Sequence, residues 1–181
     1  VVTETPRANQ TITFDALVDK TALNPDFGLN ATASSTLPVS YVSSNEAGAT
    51  ISGSTVTIVA QGVTTIRASQ DGNGSYNAAS FAEQDLTVTK VPQTINFGAI
   101  ASQELSSGTY TLDANATSGL GLTFTSDDHT VATVSGNLVI LLKGGTVGIT
   151  ASQPGNATYA AALDVNRTLV VMDVLSVPTV A

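Results

Sequence analysis

The chain repeats itself. Gln10-Thr11-Ile12-Thr13-Phe14 returns as Gln93-Thr94-Ile95-Asn96-Phe97, and Ser69-Gln70-Asp71-Gly72-Asn73 returns as Ser152-Gln153-Pro154-Gly155-Asn156, each 83 residues later. The same offset joins Tyr76 to Tyr159, Ala78-Ala79 to Ala161-Ala162, Ile51-Ser52-Gly53 to Val134-Ser135-Gly136, and Leu86 and Val88 to Leu169 and Val171. Of the 83 pairs aligned from Ala8 to Lys90, 28 are identical, and the register needs no insertion. A fixed period of this kind means that one structural unit is used twice. It predicts one fold over residues 8–90, the same fold over 91–173, and a remainder, 174–181, that is a linker or the start of a following element.

What is exchanged between the copies is as telling as what is kept. Apolar positions trade for apolar ones: Leu17 for Ile100, Phe27 for Tyr110, Val39 for Leu122, Tyr41 for Phe124, Ile58 for Leu141. Glycines return at Gly53/Gly136, Gly62/Gly145 and Gly72/Gly155, while charged positions such as Lys20/Gln103 and Ala60/Lys143 do not match. A shared core and shared turns under differing surfaces describe a scaffold.

Within the first copy the apolar residues alternate with period two, the signature of strands that bury one face. Gln10–Phe14, Phe27–Ala33, Val39–Ser43, Ala49–Ser52, Val56–Val59, Thr64–Ala68 and Leu86–Val88 read as strands. Phe27, Leu29, Ala31 and Ala33 share a face, and Gly53-Ser54 is placed for a tight hairpin because Gly tolerates positive φ. About seven short strands in some 80 residues is the count of an immunoglobulin-like sandwich of two packed sheets. The fold expectation is therefore all-β: two tandem immunoglobulin-like β-sandwich domains of about seven strands each. Between them, Pro92 fixes φ and holds Val91 extended, so Val88–Gln93 reads as a short stiff linker. Joined end to end, two such units would span roughly 70–90 Å.

The wording of the repeat adds a resemblance. Gln-Thr-Ile-x-Phe, then Leu37-Pro38-Val39-Ser40-Tyr41-Val42-Ser43-Ser44-Asn45, then Ser52-Gly53-Ser54-Thr55-Val56-Thr57-Ile58, then Ala-Ser-Gln-x-Gly-Asn-x-x-Tyr-x-Ala-Ala resembles the immunoglobulin-like tandem repeats of large surface-anchored or secreted bacterial proteins, adhesins among them. The resemblance covers nearly all of residues 8–173. It implies an extracellular or cell-surface location and a non-catalytic spacer role, with neighbouring repeats of the same chain as partners. It supplies no catalytic residues.

Composition narrows the alternatives. Only 11% of residues are charged, against about 25% in an average domain, and the polar surface is Thr and Ser instead. The net charge of −8 repels phosphate backbones, so nucleic acid is not an expected partner. No apolar run approaches the roughly 18 residues of a spanning helix, so no membrane insertion is expected in this segment. The absence of a signal peptide at Val1 is the pattern of an excised or internal segment.

Little in the chain points to an enzyme. Nucleophilic catalysis needs a base beside its nucleophile, and the one histidine, His129, reads as a surface residue. Without Cys, and with a single His, zinc has no ligand set. Calcium is the cofactor to test: Asp127 and Asp128 in copy two, and Glu83 with Asp85 near the linker, are candidate oxygen ligands. Asp127-Asp128-His129 stands where copy one has Ser44-Asn45-Glu46, so the patch reads as private to copy two. Tyr76 and Tyr159 are candidate ligand contacts for a host or environmental glycan or a protein; the competing reading is that each anchors its own loop, its hydroxyl bonded to backbone. Lys20, Lys90 and Lys143 lack counterparts in the other copy, which argues against lysine crosslinks. Six Asn-x-Ser/Thr triplets, at Asn9, Asn30, Asn73, Asn115, Asn156 and Asn166, are acceptor sequences only where a host glycosylates them. The leading expectation is a spacer. The alternatives are a carbohydrate- or protein-binding module, with or without calcium, and an accessory module of a secreted polysaccharide-degrading enzyme.

Overall fold

The computed structural model describes residues 6–173 of the 181-residue chain; the expected linker or following element at 174–181 lies outside the described residues. The chain divides into two compact units, Val1–Val91 and Pro92–Ala181, and each is an all-β sandwich. The first holds β1 (Ile12–Thr13), β2 (Lys20–Thr21), β3 (Phe27–Gly28), β4 (Thr32–Ala33), β5 (Ser40–Ser43), β6 (Ala49–Ser52), β7 (Thr55–Ile58), β8 (Gly62–Ser69) and β9 (Ala82–Thr89). The second holds β10 (Ile95–Phe97), β11 (Gln103–Glu104), β12 (Thr109–Thr111), β13 (Ala114–Ala116), β14 (Thr123–Ser126), β15 (Ala132–Ser135), β16 (Leu138–Leu141), β17 (Gly145–Ser152) and β18 (Val165–Met172), with a 3-10 turn at Leu105–Ser107. Every strand of the second unit starts within one residue of its counterpart shifted by 83.

In the first unit a four-stranded sheet, β2-β9-β8-β5, faces a layer built from β1-β4 and β3-β7-β6. The second unit repeats this as β11-β18-β17-β14 against β10-β13 and β12-β16-β15. Alternation decides which residues enter the core. From the four-stranded sheet Ile66, Ala68, Leu86 and Val88 turn inward, and from the opposite layer Ala49 and Val56 meet them. Ile149, Ala151, Leu169, Val171, Ala132 and Val139 do the same in the second unit. All ten side chains of the five exchanged apolar pairs belong to or pack against these two cores. Burying a Leu or Ile side chain contributes about 1.5–3 kcal/mol, so the core accounts for the shared pattern.

Two details differ from the expected strands. Phe27–Ala33 keeps its inward face but is not one continuous ladder: Phe27 pairs Val56, while Ala33 pairs Ile12. The cause is the neighbouring hairpin. Leu29 N–H still reaches Ser54 O at 2.8 Å, but the chain turns there, at Gly53-Ser54, and β1 takes over as partner. At that turn only Gly53 takes positive φ, +61°, as in a type II′ hairpin. The second detail is β2 and its twin β11, which the alternation does not reveal. Each is two residues long and pairs parallel to the last strand of its unit, Lys20 with Val88 and Gln103 with Val171. Pairing through tertiary contact leaves no periodicity in so short a segment.

Candidate functional site

The repeat motifs are explained by a buried polar clip at one end of each sandwich. Gln10, outside any strand, is buried, and its Nε2 donates to Asn77 O at 2.7 Å and Gln70 Oε1 at 3.2 Å. Its Oε1 accepts from the Ser35 hydroxyl. Gln70 in turn donates to Pro38 O at 2.8 Å and accepts from Gly72 N–H. In the second unit Gln93 donates to Ala160 O at 2.6 Å and accepts from Ser118, and Gln153 donates to Gly121 O at 2.6 Å. Gly72, at φ +77°, sits where a Cβ would lie 2.4 Å from Tyr76 O, and Gly155 repeats this against Tyr159 O. The sequence signal was present in the matched glutamines, but a glutamine in a motif does not announce that it is buried.

Tyr76 and Tyr159 lie on this clip, half-buried. Their loops are anchored through the backbone: Asn73 Oδ1 accepts from Tyr76 N–H at 3.0 Å, and Asn156 Oδ1 from Tyr159 N–H at 2.8 Å. Neither hydroxyl makes a hydrogen bond among the described residues, so the anchoring differs from the hydroxyl-to-backbone bond that the sequence suggested.

The acidic candidates are engaged one by one. Asp127 Oδ1 accepts from Gly148 N–H at 2.8 Å, and Asp128 Oδ1 accepts from the Thr130 amide at 2.8 Å and hydroxyl at 2.7 Å. The Thr130 hydroxyl above all holds the Asp128 carboxyl below its ordinary range. Glu83 Oε1 takes the Arg67 Nε–H at 2.8 Å, and Asp85 Oδ1 takes the Thr65 hydroxyl at 2.7 Å. Glu83 and Asp85 share one face of β9, yet among the described residues no three His, Cys, Asp or Glu side chains gather into a metal-holding group. The Asp127-Asp128 patch is not private in its duty: Ser44 Oγ accepts from Thr65 N–H at 3.0 Å and Asn45 Oδ1 from Ala47 N–H at 3.1 Å. His129 is exposed.

The units also differ on the outward face of the four-stranded sheet. Register places Val42 beside Arg67 and Arg67 beside Glu83, and the Arg67 guanidinium lies 4.1 Å from the Phe81 ring centroid. Phe81 is 55% exposed and Val42 56%. A depression of about 240 Å³ opens there, lined by Val42, Ser43, Ser44, Thr65, Arg67 and Glu83. The equivalent positions of the second unit are Thr125, Thr150, Asp164 and Asn166, with Asn166 Nδ2 donating to Thr150 Oγ1 at 2.8 Å. Two other depressions lie beside Ala31–Ala33 in the first unit, of about 350 Å³, and beside Gln153-Pro154 in the second, of about 300 Å³.

A two-layer sandwich whose first strand divides between the layers, leaving β2 parallel to the last strand, has the immunoglobulin-like layout. The chain is a tandem of two such modules. No protein-family model matches the sequence, and neither does any curated protein. Among solved structures it is similar to the S-layer protein rSbsC, at 15% identity and a TM-score of 0.40 over 92% of this chain and 28% of that one. Domains 4 and 5 of the S-layer protein SbsC match at 17% identity and 0.36, over 90% of this chain and 99% of that one. The Drosophila N-cadherin EC1-4 fragment matches at 11% and 0.35; this chain is covered over 96% of its length and spans about half, 50%, of the fragment. With identities and scores this low, none of them transfers a function.

Proposed function

We propose that this segment is a non-catalytic spacer of a bacterial cell-surface or secreted, adhesin-like protein, made to hold distance under load, with neighbouring repeats as its partners. One observation supports the reading above the rest. In each unit a strand near the start of the module, β2 or β11, is the parallel neighbour of the last strand, β9 or β18. Pulling a module by its two ends then shears those hydrogen bonds together instead of unzipping them singly. Ala22 N–H to Thr89 O at 3.0 Å belongs to this set, and the Gln10 clip fastens the leading segment to the loop before β9. The net charge of −8 suits a segment that must not stick to what it passes.

Single-molecule stretching tests this. Two unfolding events are expected, each releasing about 250 Å, the length of an 83-residue repeat at ~3.5 Å per residue less that of the folded module. Ala22→Pro, which removes one sheared bond, should lower the yield force of the first unit and leave the second unchanged. An unaltered force in the first unit would sink the load-bearing reading.

A further inference from the structure

We propose that the free edge of β5 pairs with the same edge of a second copy of the chain, antiparallel and with Val42 on the two-fold axis. The two four-stranded sheets then join into one. This goes beyond the spacer role, because it is lateral contact between chains, and it stands on separate observations.

The first is which backbone groups are left over. Among the described residues β5 has β8 as its one ladder partner. Ser44 and Thr65 form a bonded pair: Ser44 N–H donates to Thr65 O at 2.9 Å, and Thr65 N–H donates to Ser44 Oγ at 3.0 Å. Bonded and non-bonded pairs alternate along an antiparallel ladder. Val42 is therefore bonded to Arg67, while Tyr41 and Ser43, opposite Ala68 and Ile66, turn their N–H and C=O off the edge of the sheet. These four groups lie symmetrically about Val42. Turned about an axis through that residue, Tyr41 meets the partner's Ser43 and Ser43 meets the partner's Tyr41, each pair exchanging two hydrogen bonds. A patch that complements itself is what a symmetric dimer requires.

The second observation is what the edge carries. Val42 is 56% exposed on the outward face. Across the axis it would meet its own copy in a non-bonded pair, the kind with the closer Cα spacing of about 4.5 Å, and the two β-branched side chains would cover each other. Edge strands that stay alone are guarded by charge or by an internal proline. Residues 37–45 hold no charge, and Pro38 precedes the strand. The second unit has the guard: Asp127 and Asp128 follow β14 directly, where the first unit has Ser44 and Asn45, and Thr125 replaces Val42. Copies of a chain with net charge −8 repel one another, so an edge strand without carboxylates is where they can meet.

The test is sedimentation equilibrium of the whole chain over about 0.05–2 mM. So short a ladder makes a small interface, and a dimer with a Kd on the order of 0.1–1 mM is expected. Val42→Glu places its carboxylate beside Arg67 of its own chain, so the melting temperature should stay within about 3 °C of the parent. It also sets two carboxylates face to face across the axis and should weaken the dimer by about tenfold or more. Val42→Cys, in a chain that has no cysteine, should form disulfide-linked dimers with oxidised glutathione, because the non-bonded spacing suits that bond. Thr125→Cys is the control from the second unit and should crosslink about tenfold less. A parent that stays monomeric at every concentration would overturn the proposal and leave the edge to a strand of another protein. So would a Val42→Glu variant that dimerises as tightly as the parent, or equal crosslinking at the two cysteine positions.

Discussion

The two units perform the same backbone duties with different side chains, and where they differ follows a simple chemical rule. Ser44 and Asp127 each accept from the amide that opens the middle of the next long strand, Thr65 or Gly148. Asn45 and Asp128 each cap the following turn. Gln84 Nε2 donates to Phe14 O at 2.7 Å, and Arg167 Nε donates to Phe97 O at 2.8 Å. In these cases the site asks only for an acceptor, or only for a donor, and several residue types satisfy it. Gln10, Gln70 and their twins each donate and accept through one side chain, Gln10, Gln93 and Gln153 while buried, and neither a carboxylate nor a cationic side chain can do both; there the identity is kept. Asn73 and Asn156 are the exception, since each uses only its acceptor and no structural reason separates Asn from Asp there.

The rule is easiest to break at the clip, where the largest effect is expected. Gln10→Ala in the first unit, or Gln93→Ala in the second, strands buried partners and should lower the stability of that unit by about 2–4 kcal/mol. Gln10→Glu, which keeps the acceptor and loses the donor, should cost nearly as much, whereas Gln84→Arg should stay within about 0.5 kcal/mol. Denaturant titration followed by resonances of each unit separates the two. A Gln10→Glu variant as stable as the parent would end the donor-plus-acceptor account.

A smaller effect tests the backbone side of the comparison. Thr36 adopts φ +64°, where its twin Gly119 has φ +75°. The left-handed conformation costs a side-chain residue about 1–2 kcal/mol, and glycine returns part of that through unfolded-state entropy. Thr36→Gly should therefore stabilise the first unit by about 0.5–1 kcal/mol in the same titration, and Gly119→Thr should destabilise the second comparably.

The smallest effect is one of pH. Because Asp128 titrates lower in the folded chain than in the unfolded one, its contribution is fully present above the ordinary carboxylate range. It is lost as pH falls through the depressed value. Asp128→Asn, which installs the residue of the first unit, should flatten the acid limb of the second unit's stability profile. The first unit, with Asn45 already at that place, should show no such limb from this position. An unchanged profile in the variant would remove Asp128 from the account of acid sensitivity.

Most of the architecture was legible because it rests on burial, and burial writes itself as alternation. Leu17/Ile100, Tyr41/Phe124 and the other exchanged pairs fell on the cores because only apolar residues can replace one another there. β2 and β11 escaped because a two-residue parallel pairing has no period. The break in Phe27–Ala33 escaped because the turn that ends its partner lies about twenty residues further along the chain. The Phe81–Arg67–Glu83 face was harder still: its members come from two strands and the residue just before one of them, and no local pattern joins them. Asp127 and Asp128 drew notice as charges, and the backbone amides they accept from correspond to those that uncharged Ser44 and Asn45 accept from in the other copy.

The clip also fixes where a single module can be cut. Gln10 precedes the first strand, and still earlier Ala8 exchanges backbone hydrogen bonds with the Tyr76 loop, donating to Ser75 O at 2.8 Å and accepting from Asn77 N–H at 2.9 Å. A gene fragment trimmed to start at Ile12, where regular structure begins, would yield a protein with its seam undone, and one starting at Arg7 would keep it sewn.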